Sequence, residues 1–231
     1  MGIYDQLWAE AEEAFAGAGP QVDAHLADRA RDQRRGVSLI FRPPPAVQAR
    51  IKDFLDPLAE EFPGQHFYAP AEFHVTVLTP ISGTERWRRD MRELRVFREI
   101  LREALRGQPA FGVEFCGVTA APNAVMVQGF PRDGGLEQIR AGLRRAFAER
   151  GLGGRLDRRY RNAAAHITVM RFSRAGADGR RLLARLEANR DREFGAMPVD
   201  TLQLVWSDWY ASAKGLRVLE EFPLGRPALA A

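Results

Sequence analysis

The feature that most constrains this chain is a layout of elements that occurs twice. Residues 37–41 read as a short apolar strand, and Pro43, Pro44 and Pro45 end it and open a helix. That helix carries Val47, Ile51, Phe54, Leu55 and Leu58 on one stripe. An extended segment over residues 73–79 follows, closed by Pro80, then a helix over 91–106 and a cleanly alternating strand over 111–115. A second series has the same order: strand 125–127, helix 136–150, extended segment 165–172, helix 178–189 and strand 201–206, with a final strand at 218–222. The offsets are nearly constant, 88 residues from Val37 to Val125, 92 from His74 to His166 and 88 from Phe111 to Val199. The halves share little residue identity, so the duplication rests on layout. With no low-complexity linker between them, two lobes of one α+β fold are expected rather than independent domains.

The expected division is an N-terminal helical extension over 1–35, a single domain over 36–223 with lobes at about 36–118 and 119–223, and a tail over 224–231. The extension opens with a helix in which Ile3, Leu7, Trp8, Ala11 and Phe15 recur at helical spacing, stopped by Gly17, Gly19 and Pro20. No run is long and apolar enough to span a bilayer, and residues 1–8 lack the basic-then-apolar order of a secretory signal. A cytoplasmic, monomeric protein without a membrane partner is expected. Cys116 is the only cysteine, which rules out an internal disulfide and any site needing several thiolates.

Two segments carry the chemistry. Phe73-His74-Val75-Thr76-Val77-Leu78 and Ala165-His166-Ile167-Thr168-Val169-Met170 each place His-x-Thr in a β-branched, apolar setting. Residues two apart on a strand share a face. Each segment thus shows an imidazole beside a hydroxyl on one side and anchors itself through Val75, Val77, Ile167 and Val169 on the other. Four histidines and six threonines in 231 residues would give about 0.1 such matches by chance, and the two present fall at equivalent places in the two units.

Paired His-x-Thr motifs in a duplicated α+β chain of this length resemble the 2H phosphoesterases, which include the LigT-like 2'-5' RNA ligases and cyclic nucleotide phosphodiesterases. The run His166-Ile167-Thr168-Val169-Met170-Arg171 is especially similar to the second motif of that family. The resemblance spans about residues 36–223 and leaves the extension outside. It implies a bilobal fold with two antiparallel sheets lining a central cleft, helices outside, and a pseudo-twofold axis that brings the motifs together. It also implies a metal-independent phosphodiesterase that needs no cofactor and acts on 2',3'-cyclic phosphates or 2'-5' linked RNA or nucleotides.

The residues suit that chemistry. Opening a cyclic phosphate needs a base for the nucleophile and an acid for the departing ribose oxygen. Imidazole, with a reference pKa of about 6.5, supplies both near neutral pH. His74 and His166 are the candidate catalytic pair, and either can take either role. Thr76 and Thr168 are candidate donors to the non-bridging phosphate oxygens. The same pair would serve reversible end joining, with an RNA 5'-hydroxyl in place of water. Two other classes stay open: a module that binds RNA ends without turnover, and a metallohydrolase, which would need a third ligand beyond the two histidines.

Other candidates carry competing readings. Strict alternation places Arg171 opposite His166, so it reaches the cleft only through a twist or bulge. Residues 137–161 hold eight arginines against three acids, a pattern that mostly marks a solvated helix face. Arg158, Arg159 and Arg161 are the exceptions, placed to reach an RNA backbone. A further 24 of the 32 arginines lie elsewhere, against two lysines, in a chain of net charge +4. The planar guanidinium suits phosphate partners. Trp206, Trp209 and Tyr210 either cover the core or offer a stacking platform for a base, with Trp209 and Tyr210 the more exposed. Tyr68 and Phe73, beside the first motif, share this ambiguity. His25 reads as a surface residue, His66 as structural and Cys116 as core.

Overall fold

The computed structural model describes residues 2–85, 91–156 and 164–225. In chain order the elements are α1 (Ile3–Ala16), β1 (Arg35–Phe41), α2 (Pro45–Glu61), β2 (His66–Phe67), β3 (Val75–Thr84), α3 (Met91–Leu105), β4 (Phe111–Ala121), β5 (Ala124–Pro131), α4 (Gly135–Glu149), β6 (Ile167–Arg171), α5 (Gly179–Glu187), β7 (Glu193–Val199), β8 (Thr201–Asp208) and β9 (Arg217–Pro223). The helices form where apolar residues recur every three or four positions. In α2, Pro44 and Pro45 set the first turn, and Val47, Ile51, Phe54, Leu55 and Leu58 are the buried stripe. Among the described residues, no helix is long and apolar enough to cross a membrane.

The strands make one curled antiparallel sheet in the order β7-β4-β5-β6-β3-β1-β8-β9, with the short β2 on β6. The two expected sheets are thus fused edge to edge. They meet at β3 and β6, where Val75 faces Ile167 as the registered pair. The halves of the sheet do not follow a division of the chain near residue 118. After α3 the chain enters β4, which pairs with β5 of the second unit, and after α5 and β7 it returns to β8, which pairs with β1 of the first. Each unit lends a strand to the other half of the sheet.

Three strands depart from the sequence pattern. β3 runs through Pro80 instead of ending there, because the ladder to β1 slips between Leu39↔Leu78 and Val37↔Ile81, and an irregularity tolerates a residue without an N–H. β4 continues to Ala121 past Gly117, whose φ of 76° marks a bulge. β7 contains Gly195 and Pro198 and therefore lacks a strand signature. It sits at the sheet edge, where proline is allowed.

The N-terminal helix is built into the core. Trp8, Ala11 and Phe15 belong to the main apolar cluster, and α1 packs on β4 and α5. At its start the buried Tyr4 hydroxyl donates to the Gly129 carbonyl (2.8 Å) and accepts from Gly129 N–H (3.0 Å) and Ala165 N–H (3.2 Å). It ties β5 to the residue before His166. A Cβ on Gly129 would collide with the Ala165 carbonyl, so only glycine allows this approach. Tyr4→Phe leaves those three backbone groups unpaired and is expected to cost about 2–3 kcal/mol. Urea unfolding of the full chain checks this, and a loss under about 0.5 kcal/mol would show that water replaces the hydroxyl.

Candidate active site

Both His-x-Thr motifs open onto one cleft of about 790 Å³ along the seam between the sheet halves. Continuing the register of Val75↔Ile167 sets His74 opposite Thr168 and Thr76 opposite His166. The result is a two-by-two array with the imidazoles on one diagonal and the hydroxyls on the other. All four side chains line the cleft, while Val75, Val77, Ile167 and Val169 are fully buried behind it.

Each motif strand then bulges at the same place. β1 pairs Ile40 with Thr76 and Leu39 with Leu78, which leaves Val77 over. β5 pairs Met126 with Thr168 and Val125 with Met170, which leaves Val169 over. An extra residue inverts the alternation beyond it. The bulge at Val169 turns Arg171 into the cleft, and the one at Val77 does the same for Thr79, its counterpart. The cleft is therefore symmetric at the histidines and threonines and asymmetric one step further out. Arg171 Nε donates to the buried Tyr68 hydroxyl at 3.0 Å, which fixes the guanidinium, while Thr79 Oγ1 lies 3.2 Å from Ser38 Oγ.

The two imidazoles have different surroundings. His74 Nδ1 donates to the Glu72 carbonyl at 2.7 Å. Burial holds its pKa below the ordinary value. The carbonyl opposes that shift, while the charges of Arg42 and Arg171 add to it. His166 Nδ1 is buried without a partner. Burial pushes the His166 pKa down to about 4, helped by the positive charge of its neighbours His74, Arg171 and Arg140. The free site thus holds a neutral His166 across a wide pH range.

Beneath the array, Arg140 reaches from α4 to three carbonyls. Nε donates to Val77 (3.1 Å), and Nη2 donates to Thr76 and to Ala164 (2.9 Å each). The side chain is 2% exposed, and burial pushes its pKa down to about 10. It joins the two motif strands where the ladder between them is down to one registered pair. The charge pattern of this stretch assigns its arginines mostly to a solvated face. Yet position 140 lies four after Leu136 and three before Leu143, on the stripe that faces the core.

The aromatic candidates separate. Trp209 lines the cleft, stacked beneath the Arg34 guanidinium (4.5 Å to the ring centroid). A Cβ on Gly83 would come within 2.5 Å of its ring, so the glycine makes room for it. Tyr210 corrects the expectation of exposure. It is 2% exposed, and its hydroxyl donates to Asp23 (2.9 Å) and accepts from Arg34 (3.0 Å). It ties the extension to the cleft wall and lines the cleft beside Trp209 as a buried ring. Tyr68 and Phe73 are buried. His66 lies on β2 against Tyr68 and Tyr210, and His25 is exposed. Arg158, Arg159 and Arg161 lie outside the described residues.

Comparison with known proteins follows the same lines. Residues 43–210 match the family model of the 2'-5' RNA ligase superfamily. A search of curated proteins finds no match. Similar solved structures include TT0787 of Thermus thermophilus, 20% identical, with a TM-score of 0.61 over 84% of this chain and 100% of that one. E. coli LigT complexed with NADP+ is 18% identical, with a TM-score of 0.56 over 84% of this chain and 99% of that one. The protein ATU0111 from Agrobacterium tumefaciens is 17% identical, with a TM-score of 0.56 over 90% and 98%. At these identities the structures establish the fold. With the family match running through both motifs, the chain belongs to the 2'-5' RNA ligase superfamily, the 2H phosphoesterases.

Proposed function

We propose that this protein is a metal-independent phosphodiesterase acting on 2',3'-cyclic phosphates or 2'-5' linkages of RNA or nucleotides. The observation that carries the reading is the diagonal array of two imidazoles and two hydroxyls in one cleft. A phosphate at its centre meets a proton acceptor on one side and a proton donor on the other, as in-line displacement requires. Thr76 and Thr168 donate to the non-bridging oxygens, where charge accumulates, and Arg171 offers a fixed cation beside them. E. coli LigT has been solved with ATP and with 3'-AMP, and nucleotide ligands suit a cleft of this form. Among the described residues, no group of three or more His, Cys, Asp or Glu is placed to hold a metal ion.

The environments favour His166 as base and His74 as acid. His166 stays neutral down to about pH 4, whereas the Glu72 carbonyl on Nδ1 favours the protonated form of His74. In hydrolysis, His166 takes a proton from water as its oxygen bonds to phosphorus. The bond from phosphorus to one ribose oxygen breaks, and His74 delivers its proton to that oxygen. The products are a phosphomonoester and a free hydroxyl, and solvent restores the two protonation states. The family description favours a second reading, in which a 5'-hydroxyl replaces water and the same steps join two ends.

The test is turnover of 2',3'-cyclic nucleotides and a 2'-5' linked dinucleotide in the presence of EDTA, with a parallel assay for joining of 5'-hydroxyl RNA. Activity that survives EDTA supports the reading, and activity abolished by EDTA and restored by a divalent metal overturns it.

The pH dependence follows from the two shifts. In the free enzyme the base loses function as pH falls through about 4, and the acid loses its proton at a pKa below 6.5. A bell in kcat/KM with its maximum below about pH 6.5 is expected. In kcat the alkaline limb moves upward, because the bound anionic phosphate stabilises the imidazolium. A kcat/KM profile with one inflection and a plateau above about pH 8 would count against the pair.

A further inference from the structure

We infer that α1 forms the wall of a nucleobase subsite, so that the cleft accepts a substrate with a nucleoside on each side of the reacting phosphate. This rests on the proposed phosphodiesterase reading and names its substrate class. Residues 3–16 lie outside the stretch that matches the family, yet they contribute to the cleft. One stripe of α1, with Tyr4, Trp8, Ala11 and Phe15, goes into the core. The adjacent stripe, Ile3, Leu7 and Glu10 at helical spacing, lines the cleft instead. Ile3 remains 37% exposed, an apolar side chain held at the rim of a polar site.

The subsite has a counterpart across the pseudo-twofold axis. On β5, Met126 pairs with Thr168, and on β1, Ile40 pairs with Thr76. Each phosphate-facing threonine thus has a large apolar residue one strand further out, about 4.8 Å away. The lining also holds Trp209, which follows the β8 strand paired with β1, and residues of α1, which packs on the β4 strand paired with β5. A volume of about 790 Å³ stands high in the range for small-ligand sites. Apolar walls from Met126, Ile3 and Leu7 suit the flat faces of a base. Glu10, also in the lining, repels a phosphate but accepts a hydrogen bond from a base N–H. The occupant that fits is a base attached to the ribose on that side.

The experiment compares wild type with the double variant Ile3→Ser/Leu7→Ser and with Trp209→Ala, using a 2'-5' linked dinucleotide and a mononucleoside 2',3'-cyclic phosphate. For the dinucleotide, KM is expected to rise about tenfold in both variants with kcat nearly unchanged, the size of one lost base contact. The mononucleotide fills one side of the cleft, so only one of the two variants raises its KM. An unchanged dinucleotide KM in the double variant overturns the inference, as does a mononucleotide KM raised equally by both. Ile3→Ser alone serves if the double variant does not fold. If wild type turns over neither substrate, the phosphodiesterase reading fails, and calorimetric binding of the dinucleotide decides the subsite separately. Binding weakened about tenfold by Ile3→Ser/Leu7→Ser supports it, and absent or unaffected binding overturns it.

Discussion

His74→Ala and His166→Ala are each expected to lower kcat by about 10²–10⁴-fold, the size of a lost general acid or base. KM should change little, because the threonine hydroxyls and Arg171 remain. The double variant should be far less impaired than the product of the single effects, since the two rings act on one proton-transfer sequence. The roles can be separated with a substrate whose leaving group is an aryl oxide, which departs without a proton. That substrate should rescue His74→Ala and leave His166→Ala slow. Rescue of His166→Ala instead would exchange the roles. Two folded single variants with near wild-type kcat would end the paired-imidazole mechanism.

Arg140→Met is expected to cost about 2–4 kcal/mol of stability, a large share of the roughly 5–15 kcal/mol typical of a domain. Three carbonyls, of Thr76, Val77 and Ala164, lose the Arg140 guanidinium as a donor at once. Each buried acceptor left unpaired costs about 1–3 kcal/mol. Removing a buried guanidinium returns part of that by relieving its own desolvation. The midpoint of urea unfolding should fall with an unchanged m-value. Arg140→Lys should recover only part of the loss, because a single ammonium cannot reach carbonyls spread over both strands as the planar fork does. The seam carries both motifs, so kcat should also fall in folded Arg140→Met. Stability within about 0.5 kcal/mol of wild type would mean that the strand pairing alone holds the seam.

The candidate site was legible in the sequence because its signal is local. His-x-Thr on a strand shows its own face, and the recurrence at 92 residues needs no knowledge of contacts. The same locality hid the rest. Periodicity reports which face of a strand is buried but not which strand lies beside it, so the exchange of β4 and β8 left no trace. A bulge at Val77 or Val169 reads as uninterrupted β-branched sequence, yet it decides whether Thr79 and Arg171 see the cleft. Tyr210 sits beside Ser207 and Asp208 and therefore looked exposed. It is covered by Asp23 and Arg34, 187 and 176 residues away. Arg140 could have been found: a charge centred on an apolar stripe signals a buried partner. Tyr4 could not, because nothing local tells a core tyrosine from one that braces a distant backbone.

The exchanged strands also govern how such a chain comes into being. As synthesis proceeds, β1 and β3 emerge early, but β8, which covers the other side of β1, lies more than 160 residues downstream. The first half of the polypeptide therefore leaves the ribosome with an open strand edge, and it closes only when almost the whole chain has been made. Cutting the gene between the repeats would yield two pieces, each missing a strand the other carries. They would be expected to recover a working cleft only by associating, as reciprocal partners rather than as separate folding units.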